Sequence, residues 1–258
     1  MSPRKASSGL PRCKGRRLAE RRWVLASGNP GKVREFQALF TALDVSIVAQ
    51  QELGIGDAKE PFQTFVENAL AKARHASRGS GMVALADDSG ICVPALGGAP
   101  GVHSARYADA SPALSRDQVD LANNRKLILQ TASMVQPVSC FYYCIVVLIH
   151  GPDDPRPLIA DGTWPGVLVA EPRGRHGFGY DAHFLPMGQA LTAAQMDPGE
   201  KNRVSHRAQA LAALLAAFTG TLAGTLAGAS AGASAATSGA TSGAQSWAAS
   251  ALAPVRPD

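Results

Sequence analysis

Between Trp23 and Phe218 the apolar residues switch repeatedly from strand-like runs to sets spaced three and four residues apart. One face of a strand repeats every second residue and one face of a helix about every 3.6, so no single element type serves both patterns. The chain is thereby confined to an α/β fold. An apolar strand over residues 23–27 runs into Gly28-Asn29-Pro30-Gly31, and a helix follows over 31–43 with Val33, Phe36, Leu39, Phe40 and Leu43 on one face. Thr64-Phe65-Val66-Glu67 has the capping-box pattern and opens a second helix to about Ser77. Residues 82–86 and 91–95 read as strands on either side of an acidic turn, 113–131 as a helix, and 138–150 and 158–164 as long strands joined by a Gly/Pro/Asp turn. A last amphipathic helix starts near Val204 and carries Leu211, Leu214, Leu215 and Phe218. The expected architecture is a long central mixed sheet flanked by helices.

Both ends differ from this body in composition. Residues 1–22 carry eight Lys and Arg against Glu20, a net charge of +7, and lack periodicity, so they read as a basic disordered extension. Residues 221–258 repeat Ala, Gly, Ser and Thr, as in Ala-Thr-Ser-Gly-Ala-Thr-Ser-Gly, and read as a low-complexity tail with too little apolar surface to offset its ordering entropy. The tail's charges cancel, so the chain's +5 leaves −2 on the body 23–220. The positive charge describes the N-terminal segment and argues against a nucleic-acid-binding face. No apolar run approaches the ~20 residues that cross a bilayer. The basic start lacks the apolar core of a secretion signal, although its Arg-rich, acid-poor composition is shared by transit peptides. A cytoplasmic protein without membrane attachment is the expectation. Cys13, Cys92, Cys140 and Cys144 have no zinc spacing, and Cys140 and Cys144 lie about 13 Å apart on one strand. That span is too long for a disulfide, leaving reduced structural thiols.

Four segments could carry chemistry. Ser27-Gly28-Asn29-Pro30-Gly31-Lys32 places a glycine turn between strand and helix, where backbone N–H groups and a helix N-terminus attract anions. Lys32 opposes the helix dipole there unless an anion is near. A phosphate cradle and an ordinary turn with a solvated Lys both fit, and a Walker A spacing is absent. Ala86-Asp87-Asp88-Ser89-Gly90 offers two carboxylates that, on extended backbone, point to opposite faces. It suits a Mg²⁺ ligand or an Asx-type turn with solvated acids. Gly177-Phe178-Gly179-Tyr180-Asp181 is a glycine-flanked loop whose aromatics could stack on a nucleobase or fill the core. Lys201 and Ser205-His206-Arg207 bring donors for phosphate or base edges to a helix start. Asn68, Lys72 and His75 share one polar helix face, which by default is solvated. No G-x-S-x-G nucleophile elbow occurs, so acyl-transfer chemistry has no support.

Each segment is weak alone, but their order is specific. Ser-Gly-Asn-Pro-Gly-Lys, Thr-Phe-Val-Glu-Asn-Ala-x-x-Lys-Ala, Ala-Asp-Asp-Ser-Gly, Pro-Gly-Val-His-Ser-Ala-Arg-Tyr, Gly-Phe-Gly-Tyr-Asp and Ser-His-Arg together resemble the inosine/xanthosine triphosphate pyrophosphatase family over residues 23–218. The resemblance implies two lobes with the active cleft between them and a homodimer. It also implies Mg²⁺-dependent hydrolysis of ITP, dITP and XTP to the monophosphate and pyrophosphate, which cleanses the nucleotide pool. By position, Ser27, Gly28, Asn29, Pro30, Gly31 and Lys32 are the triphosphate loop. Asp88 is the catalytic acid and, with Glu60, the metal ligand, and Ser89 contacts substrate. Phe178, Gly179, Tyr180, Asp181, Lys201, His206 and Arg207 bind base and phosphates, with Lys72 and Arg106 as further cleft residues. The chain departs from the family pattern at Pro61-Phe62, beside Glu60, and at Ala182-His183. A related pyrimidine or modified-nucleotide pyrophosphatase and a catalytically silent nucleotide sensor are the competing expectations.

Overall fold

The computed structural model describes residues 21–40, 45–111 and 113–231. Leu43, Cys13 and most of the basic and Ala/Gly/Ser/Thr segments lie outside the described residues. Among the described residues six strands and five α-helices follow in the order β1 (Arg21–Leu25), α1 (Pro30–Phe40), β2 (Val45–Ala49), α2 (Phe65–Ser80), β3 (Val83–Cys92), α3 (Arg116–Thr131), β4 (Val138–Ile149), β5 (Leu158–Leu168), β6 (Phe184–Pro186), α4 (Pro198–Val204) and α5 (His206–Ala231). The strands form one sheet in the order β2-β1-β3-β4-β5-β6. β1 pairs in parallel with β2 and β3, while β3-β4, β4-β5 and β5-β6 are antiparallel. The mixed, helix-flanked sheet is the expected fold class.

Alternation along the strands sorts the core. Trp23, Leu25 and Leu85 point to one face, where they meet Phe36 and Phe40 of α1 and Leu211 and Leu214 of α5. Val24, Ala26, Ala84 and Ala86 point to the other, against Ala69, Ala73 and Ala76 of α2. Small side chains on both partners let α2 sit close to the sheet. Burying a Phe or Leu fully is worth about 1.5–3 kcal/mol, so the α1/α5 face, which holds the large side chains, contributes most of the anchorage. Farther along β3 and β4 a third cluster gathers Ile91, Leu127, Tyr142, Trp164 and Phe184. The long strands thus run from one pair of cores to another core.

Local signals account for the helix ends. Thr64 caps α2 by accepting from Glu67 N (3.4 Å), and Gly81 ends it in left-handed geometry at φ 68°. The Glu67 carboxylate accepts from the Thr64 hydroxyl (2.5 Å). Ser115 and Gln118 form a complete capping box on α3.

Two local expectations need correction. Residues 86–90 are not a turn between two strands: β3 continues from Val83 to Cys92, and Asp87 and Asp88 lie opposite Val146 and Ile145 of β4. Buried cations reaching in from three helices replace the water that a turn would have supplied. The last helix is also longer than its apolar period predicts. The chain divides into Met1–Thr219, which holds the sheet, and Gly220–Asp258. Of the latter, residues 220–231 are the end of α5, in a stretch rich in alanine, the strongest helix former. Cys92, Cys140 and Cys144 are free and buried, and burial pushes their thiols up to about 11, about 12 and about 12. They are inert core residues at neutral pH.

Candidate active site

The glycine turn follows β1 directly. Asn29 caps α1, its Oδ1 accepting from Gly31 N (2.8 Å) and Lys32 N (3.4 Å), with Pro30 in the first helical turn. Asn29 N in turn donates to Ser27 Oγ (3.3 Å). Lys32 finds the anion its position demands: its Nζ lies 2.7 Å from Asp87 Oδ2. The Phe178 ring packs against Gly31, where any side chain would collide with it, so the turn and the downstream aromatic loop adjoin.

Asp87 and Asp88 point to opposite faces, as extended backbone requires. Asp87 is 1% exposed, and its Oδ2 meets Lys32, Ser89 Oγ (3.1 Å) and Arg207 Nε (3.5 Å). Burial alone would raise its carboxyl. Lys32, Arg207 and Lys72 outweigh that and hold it well below the usual carboxylate range. Asp88 faces α2 and is 5% exposed. Burial pushes its carboxyl above the ordinary value, with Lys72 and Lys32 pulling against the rise and Glu60 adding to it. Asp88 Oδ1 accepts from Lys72 Nζ (3.1 Å), whereas Asp88 Oδ2 is buried without a hydrogen-bond partner among the described residues.

On the polar face of α2, Asn68 and Lys72 are not solvated, contrary to expectation, whereas His75 is exposed. Asn68 is fully buried, donating to Phe62 O and accepting from Phe62 N, both at 3.1 Å. His75 Nε2 lies 2.8 Å from Gly56 O. Between them Lys72 Nζ reaches Glu60 Oε1 (2.9 Å) as well as Asp88. This face therefore clamps the segment 56–62 and sets Glu60 opposite Asp88. Phe62, at a departure from the family pattern, is held through its backbone and leaves that arrangement intact. Arg106, from the helical turn Gly101–Arg106, adds contacts to Glu60 Oε2 (3.4 Å) and O (3.3 Å). Burial would raise Glu60, but Lys72 above all keeps it lowered. Burial would likewise lower Lys72, yet Asp88, Asp87 and Glu60 together hold it firmly protonated.

At the other end Asp181 organises the aromatic loop. It accepts from Phe178 N (2.9 Å), Lys201 Nζ (2.6 Å) and Tyr142 OH (3.2 Å). Phe178 is half-buried under Lys201 and Arg207, 5.2 and 5.9 Å from its ring centre. Tyr180 is buried and donates to Ser104 O (2.9 Å), so it fills the core beneath the loop. His183, at the second departure, is buried with Nδ1 2.9 Å from Val169 O, a strand-packing role. Gly162 on β5 lets the start of α5 press close, since a side chain there would meet His206 O and Ala210 N. That contact seats His206, which stacks on Tyr142 at 4.7 Å with planes 7° apart and leaves Nδ1 unpartnered. Burial, then Arg207 and Lys201, lower His206 well below its usual value, so the ring is neutral.

Three residues were missed from sequence. Glu35 of α1 pairs with Arg207 and lies 3.7 Å from Lys201. Its position one turn beyond Lys32 was the available signal. Asp120 and Asn124 of α3 hold the Gly179 peptide at both ends, Gly179 N donating to Asp120 (2.8 Å) and Gly179 O accepting from Asn124 (2.8 Å). The adjacent Asn123-Asn124 inside a helix, where Asn is a poor former, was the clue.

A single cavity of about 420 Å³ unites these segments. Ser27, Gly28, Asn29, Pro30, Lys32, Glu60, Lys72, Asp88, Ser89, Phe178, Gly179, Tyr180, Asp181, Lys201, His206 and Arg207 all line it. Gly31, Asp87 and Arg106 do not: Gly31 lies behind Phe178, Asp87 behind Lys32, and Arg106 contacts Glu60 without lining the cavity. Among the described residues no group of three or more His, Cys, Asp or Glu is placed to hold a metal, and no helix is long and apolar enough to cross a membrane. The two acids Glu60 and Asp88 nevertheless fit Mg²⁺, which takes one or two carboxylates and completes its shell with waters and phosphate oxygens. The unpartnered Asp88 Oδ2 is a buried oxygen ready for such a cation.

These features define an α/β protein with an acid- and lysine-lined cleft beside an aromatic pocket. Comparison with known proteins then gives the family: a model described as the Ham1 family matches residues 23–217, and the chain belongs to it. It is 56% identical over 196 residues to the dITP/XTP pyrophosphatase of Burkholderia pseudomallei (strain K96243), covering 76% of this chain and 92% of that one. It is 57% identical over 194 residues to the dITP/XTP pyrophosphatase of Bordetella pertussis (strain Tohama I), covering 75% and 89%. Among solved structures, a HAM1 protein from Coxiella burnetii superposes with a TM-score of 0.69 at 42% identity, covering 77% of this chain and 98% of its own.

Proposed function

We propose that the chain hydrolyses ITP, dITP and XTP to the nucleoside monophosphate and pyrophosphate, using Mg²⁺. The observation that carries this reading is the shared cavity. Its volume lies within the ~300–1,000 Å³ typical of small-molecule sites, and Asp88, one of whose oxygens has no partner among the described residues, lines it together with the glycine turn and the Phe178 loop. The names of the Burkholderia and Bordetella relatives point to the same substrates.

Residues 23–220 carry the reaction, with the flanking segments outside it. Asp88 and Glu60 would hold Mg²⁺, which when bound neutralises phosphate charge and makes a water a better nucleophile. Lys32 and the adjoining N–H groups bind the triphosphate and stabilise the negative charge that shifts as the phosphoanhydride between the α- and β-phosphates is cleaved in line by water. Lys72 fixes Asp88 Oδ1, which leaves Oδ2 as the oxygen that would hold the cation. Phe178 stacks on the base. Lys201, Arg207 and neutral His206 offer donors to a 6-oxo purine, and an adenine amino group would leave such buried donors unpaired. The protein acts in the cytoplasm as a homodimer on free nucleotides. The exposed Leu121 (69%), Leu129 (65%) and Val135 (93%) supply apolar surface for such a contact, which sedimentation would test.

Pyrophosphate release from ITP, dITP, XTP, ATP and GTP, with and without Mg²⁺, tests the reading in wild type and Asp88→Asn. Turnover is expected for the first three, with Mg²⁺, in wild type only. Comparable hydrolysis of ATP and ITP would overturn the base assignment, and near-wild-type turnover by D88N the catalytic one.

A further inference from the structure

Lys72 stands between the two acids assigned to the metal. Its ammonium lies 2.9 Å from Glu60 Oε1 and 3.1 Å from Asp88 Oδ1, so one cation already bridges the gap. The side chain is only 12% exposed and is not free to swing into solvent. Asn68, one turn earlier on α2, pins the Glu60 segment at Phe62, while Ala69 and Ala73 press the same helix onto the sheet. Without the ammonium, two carboxylates would face one another with Arg106 on the outer oxygen of Glu60 as the nearest compensation. Asp88 thus has one oxygen that is neutralised and one that is buried without a partner among the described residues.

We propose that Lys72 is the counter-cation of the metal-free site: its ammonium stands in for a divalent ion between Glu60 and Asp88, keeps free Mg²⁺ weakly bound, and makes metal loading depend on the triphosphate. The proposal rests on the reading of Glu60 and Asp88 as the metal-holding acids. Two carboxylates with a fixed ammonium carry one net negative charge in place of two, and the ammonium repels an incoming dication at short range. A triphosphate reverses this balance. It brings several negative charges to the same wall, supplies Lys72 with phosphate oxygens as partners, and completes the coordination of an ion held by few carboxylates. The ammonium and the dication then occupy the cleft together. The enzyme therefore takes up metal and nucleotide as a pair.

The test measures Mn²⁺ binding to the full-length chain without nucleotide, reading free Mn²⁺ by electron paramagnetic resonance. Lys72→Met is expected to bind Mn²⁺ at least tenfold more tightly than wild type, and Lys72→Arg to match wild type. Inorganic tripolyphosphate should tighten Mn²⁺ binding to wild type at least tenfold, and to K72M by clearly less. K72Q is the second neutral variant and should show the same gain as K72M if the latter fails to fold. Unchanged or weaker Mn²⁺ binding in the neutral variants overturns the counter-cation role. A gain that survives Asp88→Asn in the K72M background places the ion elsewhere and overturns the assignment of the acids beneath it.

Discussion

Asp87 and Asp88 are consecutive on β3, yet strand alternation delivers them to different worlds. On the α1/α5 face, Asp87 meets Lys32 and Arg207 at one oxygen and does not reach the cavity. On the α2 face, Asp88 lines the cavity, shares Lys72 with Glu60 and keeps its second oxygen buried without a partner among the described residues. Burial raises both carboxyls in principle. It prevails only at Asp88, because Asp87 has more closely placed cations. One residue step separates an acid that fixes the framework from an acid placed to act.

The contrast can be broken by substitution. Asp88→Asn should lower kcat/KM for ITP by about 10²–10⁴-fold, the usual worth of a positioned acid or base, while a denaturant melt shifts little. Asp87→Ala should do the reverse in kind. It removes one partner of a buried ion cluster, and a loss of about 3 kcal/mol in unfolding free energy is expected from guanidinium titration. Equal effects of the two variants on both measurements would erase the distinction. Phe178→Ala tests whether the aromatic end binds base independently of either acid. Stacking is worth about 1–3 kcal/mol, so KM for ITP should rise roughly 5–150-fold with kcat held.

The smallest effect is one of pH. His206 is buried neutral, its value lowered well below 6.5, so unfolding lets it take up a proton once the pH falls below that figure. The unfolded state then binds more protons, and stability declines as pH drops from about 6.5 toward the folded value. His206→Gln should flatten that part of the profile, read as the difference in Tm between pH 7.5 and 5.5. An unaltered profile would show that the decline arises among the carboxylates of β3 and its partners.

How much of this was legible in the sequence follows from range. Periods of two and 3.6 are local, and they placed β1, β4, β5, α1, α2 and α3, whereas β2 and β6 went unread and β3 was divided at its acidic run. The candidate residues also lay in recognisable short segments, and all but Gly31 and Arg106 reach one cavity. What failed were judgements of solvation. Asp87-Asp88-Ser89-Gly90 resembled a wet turn because the cations that neutralise it come from residues 32, 72 and 207. Asn68 and Lys72 resembled an exposed face because the segment 56–62 that covers them has no periodicity of its own. Glu35, Asp120 and Asn124 escaped notice for the same reason: each has its decisive partner more than 50 positions away.

β3 pairs with β4 without a break from Ala84 to Cys92, so Asp88 is held in the middle of a nine-pair ladder. Backbone in such a position exchanges its amide protons only when the whole domain opens. Many enzymes keep their reacting groups on segments that can fray while the rest stays folded. Here the acid belongs to the last part to come apart. Heat or denaturant would extinguish catalysis and unfold the body together, with no inactive but folded stage between, and a mild destabilising change elsewhere would thin the population of working molecules without altering the quality of those that remain.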